Sequence, residues 1–78
     1  MIIKVVSLEI LPDYRVKLGF NTNETKVFDY APHINDGVFK KLKNKAFFAT
    51  AQLDHGTVAW NGNLDFAPEF LYERGVAV

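Results

Sequence analysis

Apolar and polar side chains alternate along the segment from Tyr14 to Asn21. A period of two is typical of a β-strand with one buried face, because successive side chains of a strand point to opposite sides. That buried face must pack against a second layer of structure. The apolar side chains on one side are Tyr14, Val16, Leu18 and Phe20, and the polar ones on the other are Arg15, Lys17 and Asn21.

Two further strands are predicted around this one. Residues Ile2 to Leu11 are rich in Ile, Val and Leu, and Pro12-Asp13 ends the run as turn residues do. The segment Asn21-Thr22-Asn23 predicts a hairpin turn, since Asn tolerates positive φ. Thr25 to Tyr30 then returns as a third strand. The first thirty residues therefore predict an antiparallel β-meander.

A short helix is expected after the loop from Ala31 to Asp36. Asp36 is the predicted N-cap and Asn44 the predicted end. The inner face of this helix would carry Val38, Phe39 and Leu42. The segment Ala46-Phe47-Phe48-Ala49 has two interpretations, another helical turn or the approach to a strand.

The last third predicts a hairpin and a second helix. Thr50 to Asp54 and Thr57 to Trp60 flank the turn residues His55-Gly56. Asn61-Gly62-Asn63 predicts another turn. Pro68 is expected to open a short helix and Gly75 to end it. The order is β-β-β-α-β-β-α, and we expect residues 1–78 to form one small α+β domain.

Composition narrows the functional classes. The chain has 78 residues, no cysteine and a formal net charge of zero. A nucleic-acid-binding domain usually carries a basic excess, so nucleic acid is an unexpected partner. The absence of cysteine fits a reducing compartment. We see neither a signal peptide nor a run of about 20 apolar residues, and expect a cytoplasmic protein without a membrane segment.

Catalytic and metal-binding constellations are not apparent. A zinc site takes three or four ligands, whereas His33 and His55 are the only histidines and fall in separate predicted loops. Ser7 is the only serine and lies inside the first predicted strand. No glycine-rich phosphate loop is present. We therefore expect no enzymatic activity, no cofactor and no metal.

Aromatic and basic side chains supply the candidate interface residues. The chain contains seven Phe, three Tyr and one Trp, which are many aromatic side chains for one side of a small sheet to bury. Aromatic residues at a partly exposed edge are typical of protein interfaces; their alternative place is the core between the sheet and the last helix. The candidates are Tyr14, Trp60, Phe66 and Tyr72, with Lys40 and Lys41 from the most basic segment.

Two functional hypotheses remain open from these residues. The first is a protein-interaction module that binds a partner or itself, for example as a homodimer. The second is a small-ligand-sensing domain, to which Tyr14, Arg15, Asp29 and Trp60 would contribute polar groups. The apolar segment Gly75-Val76-Ala77-Val78 would either fray or add to the sheet edge of a neighbouring molecule.

Several short motifs occur together in one order. They include Leu11-Pro12-Asp13-Tyr14, Gly37-Val38-Phe39, Gly56-Thr57-Val58 and Trp60-Asn61-Gly62, followed by Pro68-Glu69 and Leu71-Tyr72-Glu73. In this order and spacing, the chain resembles the bacterial domain-of-unknown-function family 2442 over about residues 5 to 74.

The resemblance implies an α+β fold similar to an N-terminal domain found ahead of helix-turn-helix modules. It also implies a gene arrangement similar to toxin–antitoxin pairs, with a small neighbouring protein as the partner. It brings no catalytic residue and no cofactor. The hairpin turn Asn21-Thr22-Asn23-Glu24 departs from an Asp-Gly turn that is frequent in the family.

Overall fold

Within residues 2–60 and 64–78, which the computed structural model describes, seven strands form two antiparallel sheets. The larger sheet has the order β1-β2-β3-β7, and the smaller one has the order β4-β5-β6. Short helices connect and cover them, so the expected α+β class is confirmed. The elements are β1 (Val5–Leu11), β2 (Arg15–Phe20), β3 (Thr25–Asp29), 3₁₀ helices at Ala31–His33 and Gly37–Lys43, α1 (Lys45–Phe48), β4 (Gln52–Asp54), β5 (Thr57–Trp60), β6 (Leu64–Asp65), α2 (Pro68–Arg74) and β7 (Val76–Ala77).

The predicted meander forms the first three strands of the larger sheet, β1, β2 and β3. In β2, Val16, Leu18 and Phe20 are buried, as the alternation requires. The turn between β2 and β3 is closed by the amide of Asn23, which donates to Phe20 O at 3.0 Å, and Asn23 adopts a φ of 69°. The positive φ expected for an Asn turn is therefore present.

The first strand starts later than expected and is irregular near its start. It begins at Val5, and its pairing with β2 is irregular between Val5 and Ser7. As a result Val5 is buried, whereas Val6 is 57% exposed. The extra residue that such an irregularity places on one strand shifts the side-chain alternation, which explains why Val6 does not join the apolar face.

The segment after the meander is more tightly wound than expected. Gly37–Lys43 is a 3₁₀ helix, with Leu42 buried, and α1 follows it directly. Asp36 occupies the predicted N-cap position, although its side chain makes no capping hydrogen bond. Asn44 ends this helix and caps α1 by accepting from the amide of Phe47 at 3.2 Å.

Two short strands were not expected from the sequence. β6 extends the hairpin of β4 and β5. β7 pairs with β3 through Val76 and Ala77, so the apolar tail completes the sheet of its own chain. The predicted turn Asn61-Gly62-Asn63 lies outside the described residues.

The β4–β5 hairpin turns through two residues with positive φ, His55 at 51° and Gly56 at 79°. Consecutive positive φ values match the twist of the strands that such a turn joins. An added Cβ at Gly56 would also meet Lys4 Cγ at 3.2 Å. The turn therefore strongly favours glycine at its second position.

We expect Gly56→Ala to lower the free energy of unfolding by about 1 kcal/mol, because a left-handed backbone is costly for a residue with a Cβ. His55→Gly should change stability in the opposite direction, since it relieves the same cost at the first position. Urea unfolding of both variants measures the effect. Equal stabilities of Gly56→Ala and the wild type would contradict this interpretation of the turn.

The core is a contiguous cluster of aromatic and aliphatic side chains between the sheets. Tyr30 is fully buried and lies edge-on to Trp60, with ring centroids 5.3 Å apart. The Trp60 indole Nε1–H donates to Phe48 O at 2.9 Å. This contact ties the smaller sheet to α1, and Tyr30 ties both to the larger sheet.

Candidate functional site

An open cleft of about 550 Å³ lies at the edge of the larger sheet, where β7 meets the end of α2. Side chains from two strands of the meander form one wall, and the Ala31–His33 helix and the α2–β7 junction form the rest. The cleft is lined by Arg15, Val27, Phe28, Asp29, Pro32, His33, Arg74 and Val76. We call it the Arg15–Arg74 cleft.

Strand register explains why these residues meet. Arg15 pairs with Asp29 across β2 and β3, and Val27 pairs with Val76 across β3 and β7. These positions alternate with the buried residues Val16 and Phe28, so their side chains lie on the outer face of the sheet. The sheet thus places an arginine, a carboxylate and two valines next to one another.

Two arginines supply the positive charge of the cleft. Arg15 Nε donates weakly to Pro12 O, at 3.4 Å. Arg74 ends α2, and its guanidinium carbon lies 5.6 Å from the centroid of the Phe70 ring. Neither arginine forms an ion pair with any residue that the structure describes. Both guanidinium groups therefore retain charge and donors for an external group.

His33 and Asp29 are further polar residues of the cleft lining. The His33 ring stacks on Phe28, with centroids 5.4 Å apart and planes 19° from parallel, and meets Phe70 edge-on. Asp29 Oδ1 accepts from the backbone N–H of Ala31 at 2.9 Å. This bond turns the chain from β3 into the Ala31–His33 helix and holds His33 beside the cleft.

The edge of β3 has no strand partner at Asp29 within the described residues, since β7 pairs only with Lys26 and Val27. Tyr30 N–H donates to Tyr14 O on the β2 side, and Val78 N–H donates to Thr25 O on the β7 side. Because backbone groups alternate along a strand, Asp29 directs its N–H and C=O to the β7 side, beyond the end of that strand.

The candidate interface residues from the sequence do not form one surface. Trp60 is 2% exposed, so its prediction as a surface residue is wrong: the indole donor is satisfied by Phe48 O inside the core. Phe66 is half-buried against Tyr30 and Phe39. Tyr14 is half-buried and packs edge-on against Phe48.

The remaining candidates lie at other places. Lys40 and Lys41 are exposed on the Gly37–Lys43 helix. Tyr72 is half-buried on α2, where its ring meets Phe20 edge-on and lies under Lys26 Nζ at 3.9 Å. None of the six candidates lines the Arg15–Arg74 cleft. Of the residues considered for ligand sensing, the cleft contains Arg15 and Asp29, but neither Tyr14 nor Trp60.

Arg74 and His33 were missed as cleft residues. The sequence places them in different segments, and no local motif links them. The sequence did indicate one part of the cleft, because Arg15 lies on the polar face of the predicted strand from Tyr14 to Asn21.

Tyr72 also contacts the β2–β3 turn, because its hydroxyl donates to Glu24 Oε1. This hydrogen bond is the largest cause that lowers the pKa of Glu24 and raises the pKa of Tyr72. Because the hydrogen bond lowers the pKa of Glu24, it stabilises the fold at pH values above the ordinary pKa of this carboxyl group. The stabilisation is lost as the pH falls through the lowered pKa.

We expect Tyr72→Phe to raise the pKa of Glu24 toward its ordinary value, since the main donor to the carboxylate is removed. Carboxyl carbon chemical shifts followed by NMR through an acid titration measure this pKa. Tyr14→Phe is the control and should leave Glu24 unchanged. An unaltered Glu24 titration in Tyr72→Phe would contradict the assignment of the hydroxyl as its donor.

Comparison with known protein families gives a match over nearly the whole chain. The sequence profile of DUF2442, described as a protein of unknown function, matches residues 5–77. The chain belongs to the DUF2442 family. Comparison with curated proteins and with solved structures gave no significant match. Family membership therefore supplies no activity to this DUF2442 chain, and the site must be interpreted from its own geometry.

Two kinds of feature are absent from the described residues. Within residues 2–60 and 64–78, no helix is long and apolar enough to cross a membrane. In the same ranges, no three His, Asp or Glu side chains are grouped so that they could hold a metal ion.

Proposed function

We propose that this chain is a non-enzymatic protein-interaction module that binds its partner at the Arg15–Arg74 cleft. The observation that carries the proposal is the convergence of two arginines, without ion pairs among the described residues, on a cleft with valine, proline and aromatic neighbours. Arginine is one of the residue types enriched at interaction hot spots, which lie in well-packed pockets.

The surface beside the cleft adds contact area. Val76 is 71% exposed and Val78 is 76% exposed, and both lie along the free side of the larger sheet. Apolar side chains at the edge of a sheet, next to charged groups, are suited to a partner that buries the valines and pairs with the arginines. A cleft that binds only a small molecule would not need this apolar surface beside it, whereas a protein partner would bury it.

The resemblance of the family to toxin–antitoxin arrangements suggests the kind of partner, a small protein encoded next to this chain. We place the interaction in the cytoplasm, which the absence of cysteine supports. Homodimer formation is the alternative association through the same surface.

A quantitative affinity purification from the native host tests the proposal. The tagged wild type and Lys17→Ala should retain one dominant protein at near-equal stoichiometry, because Lys17 lies on β2 but does not line the cleft. The double variant Arg15→Ala/Arg74→Ala should retain at least about tenfold less of this protein, as expected for loss of hot-spot residues.

Two outcomes would contradict the proposal in different ways. If the wild type retains no protein in stoichiometric amount, and also sediments as a monomer, the chain is not an interaction module. If the double arginine variant retains its partner as well as Lys17→Ala does, the interaction uses another surface.

Small-ligand sensing is the second candidate function, and the size of the cleft favours it. About 550 Å³ lies within the range of roughly 300–1,000 Å³ that is typical of small-molecule sites. A metabolite that raises the melting temperature of the wild type, but not that of the double arginine variant, would support this function. An unchanged melting temperature across a broad metabolite library would count against it.

A further inference from the structure

The Arg15–Arg74 cleft combines positive charge, apolar walls and an open strand edge. From this combination we propose that it recognises a carboxylate side chain carried by an extended peptide segment of the protein partner. The inference rests on the proposed function and specifies the chemistry at the same site.

The charges of the cleft favour a monoanion. Arg15 and Arg74 bring two positive charges, and Asp29 returns one negative charge, so the cleft has a formal charge of +1 when His33 is neutral. Planar guanidinium groups bind carboxylates through paired N–H donors. A phosphate group carries nearly two negative charges and would lie close to the Asp29 carboxylate, which disfavours it.

The walls favour a carboxylate with apolar neighbours. Val27 and Val76 lie side by side on the outer face of the sheet, and Pro32 also lines the cleft. In an extended peptide, the residues on either side of an acidic side chain project to the opposite face, and the residues two positions away share its face. Apolar residues at these positions would cover the valines while the acidic group meets the arginines.

The open strand edge favours a peptide over a free acid. Asp29 directs its backbone N–H and C=O to the β7 side of β3. β7 pairs only with Lys26 and Val27, so it does not reach Asp29. An extended segment placed there would continue the pairing of β7 at Asp29. Main-chain pairing of this kind gives affinity, and side-chain pockets give specificity. A small carboxylic acid offers the charge but not the main-chain partner.

NMR titration of the ¹⁵N-labelled chain tests the inference with one probe peptide. The probe is Val-Thr-Glu-Thr-Val, acetylated and amidated so that the Glu carboxylate is its only charge and both valines share its face. We expect shifts at the backbone amide of Asp29 and at the Nε–H groups of Arg15 and Arg74. Arg15→Ala and Arg74→Ala should each weaken binding about tenfold, the loss expected for one charged hydrogen-bonded pair, and Lys17→Ala should leave it unchanged.

Three related probes decide between the alternatives. The Gln analogue should bind about tenfold more weakly than the Glu peptide; equal binding would overturn carboxylate recognition. A phosphoserine analogue that binds more tightly would identify a phosphate site instead. N-acetylvaline that binds as tightly as the peptide would identify a site for free acids and overturn the role of the strand edge.

Failure of this inference is distinguishable from failure of the proposed function. If no probe shifts the cleft resonances, yet the affinity purification retains a partner that depends on Arg15 and Arg74, the interaction module stands and carboxylate recognition falls. If neither a probe nor a partner binds, both fall together.

Discussion

Trp60→Ala is expected to lower the free energy of unfolding by about 3–5 kcal/mol, the cost typical of truncating a buried aromatic side chain. Trp60 is 2% exposed and contacts both Tyr30 and Phe48 through its ring. Its loss leaves a cavity where α1, the smaller sheet and the larger sheet meet. A domain of this length has a total stability of roughly 4–12 kcal/mol, so the variant is close to unfolding.

A second substitution separates the two contributions of this side chain. Trp60→Phe keeps much of the ring but removes the indole N–H that donates to Phe48 O at 2.9 Å, and this carbonyl keeps the longer hydrogen bond from the Ala51 N–H at 3.2 Å. We expect a loss of about 1 kcal/mol, the net contribution typical of one intramolecular hydrogen bond. Far-UV circular dichroism during urea unfolding is the appropriate measurement, because Trp60 is the only tryptophan and its fluorescence is lost. A Trp60→Ala variant as stable as the wild type would contradict the central position of this residue.

The meander was predictable because its determinants are local. Alternating residues define the buried face of β2, and Asn23 provides the left-handed position that its turn requires. The helix from Pro68 to Gly75 was predictable for the same reason, since α2 begins at the proline and ends before the glycine. In each case a neighbouring residue, rather than a distant contact, decides the backbone conformation.

Other features depend on residues that are distant along the chain. β7 contains only Val76 and Ala77, and it is a strand because β3 offers it a free edge. The irregularity at Val6 is set by the pairing of β1 with β2, which the residues of β1 alone do not reveal. Trp60 was a candidate for an exposed edge, with the core as its alternative, because an aromatic residue beside a turn has no local signal of burial.

The candidate cleft was predictable only in part, for the same reason. Arg15 and Asp29 belong to adjacent strands of the predicted meander, so their proximity follows from its register. Arg74 reaches them because β7 pairs with β3 and draws the end of α2 to the sheet. Since that pairing was not predicted, neither was the pair of arginines on which the proposed function depends.

The other large effect is expected at Tyr30 and depends on pH. Tyr30 is fully buried, and its hydroxyl has no hydrogen-bond partner among the described residues. Burial raises the pKa of Tyr30 well above its ordinary value of 10. Above about pH 10 the unfolded chain releases the Tyr30 proton while the folded chain keeps it, so the unfolded state is increasingly favoured as the pH rises.

Tyr30→Phe should remove this alkaline sensitivity. Between the unfolded and the folded pKa, the wild type should lose up to about 1.4 kcal/mol of stability per pH unit relative to the variant. Near pH 7, the variant should be as stable as the wild type or about 1 kcal/mol more stable, because an unsatisfied hydroxyl leaves the core. Urea unfolding at intervals from pH 7 to pH 11 measures both effects.

Tyr14→Phe is the matched control, because it removes a tyrosine hydroxyl that has a hydrogen-bond partner, Lys43 O. Lysine deprotonation affects the wild type and both variants alike, so the difference between the curves isolates the tyrosine. If the wild type and Tyr30→Phe lose stability in parallel above pH 10, the Tyr30 hydroxyl is not buried away from hydrogen-bonding groups. The contact of Tyr30 with Trp60 would then not lie at the centre of the core. In that case we would also expect Trp60→Ala to lower the free energy of unfolding by less than about 3–5 kcal/mol.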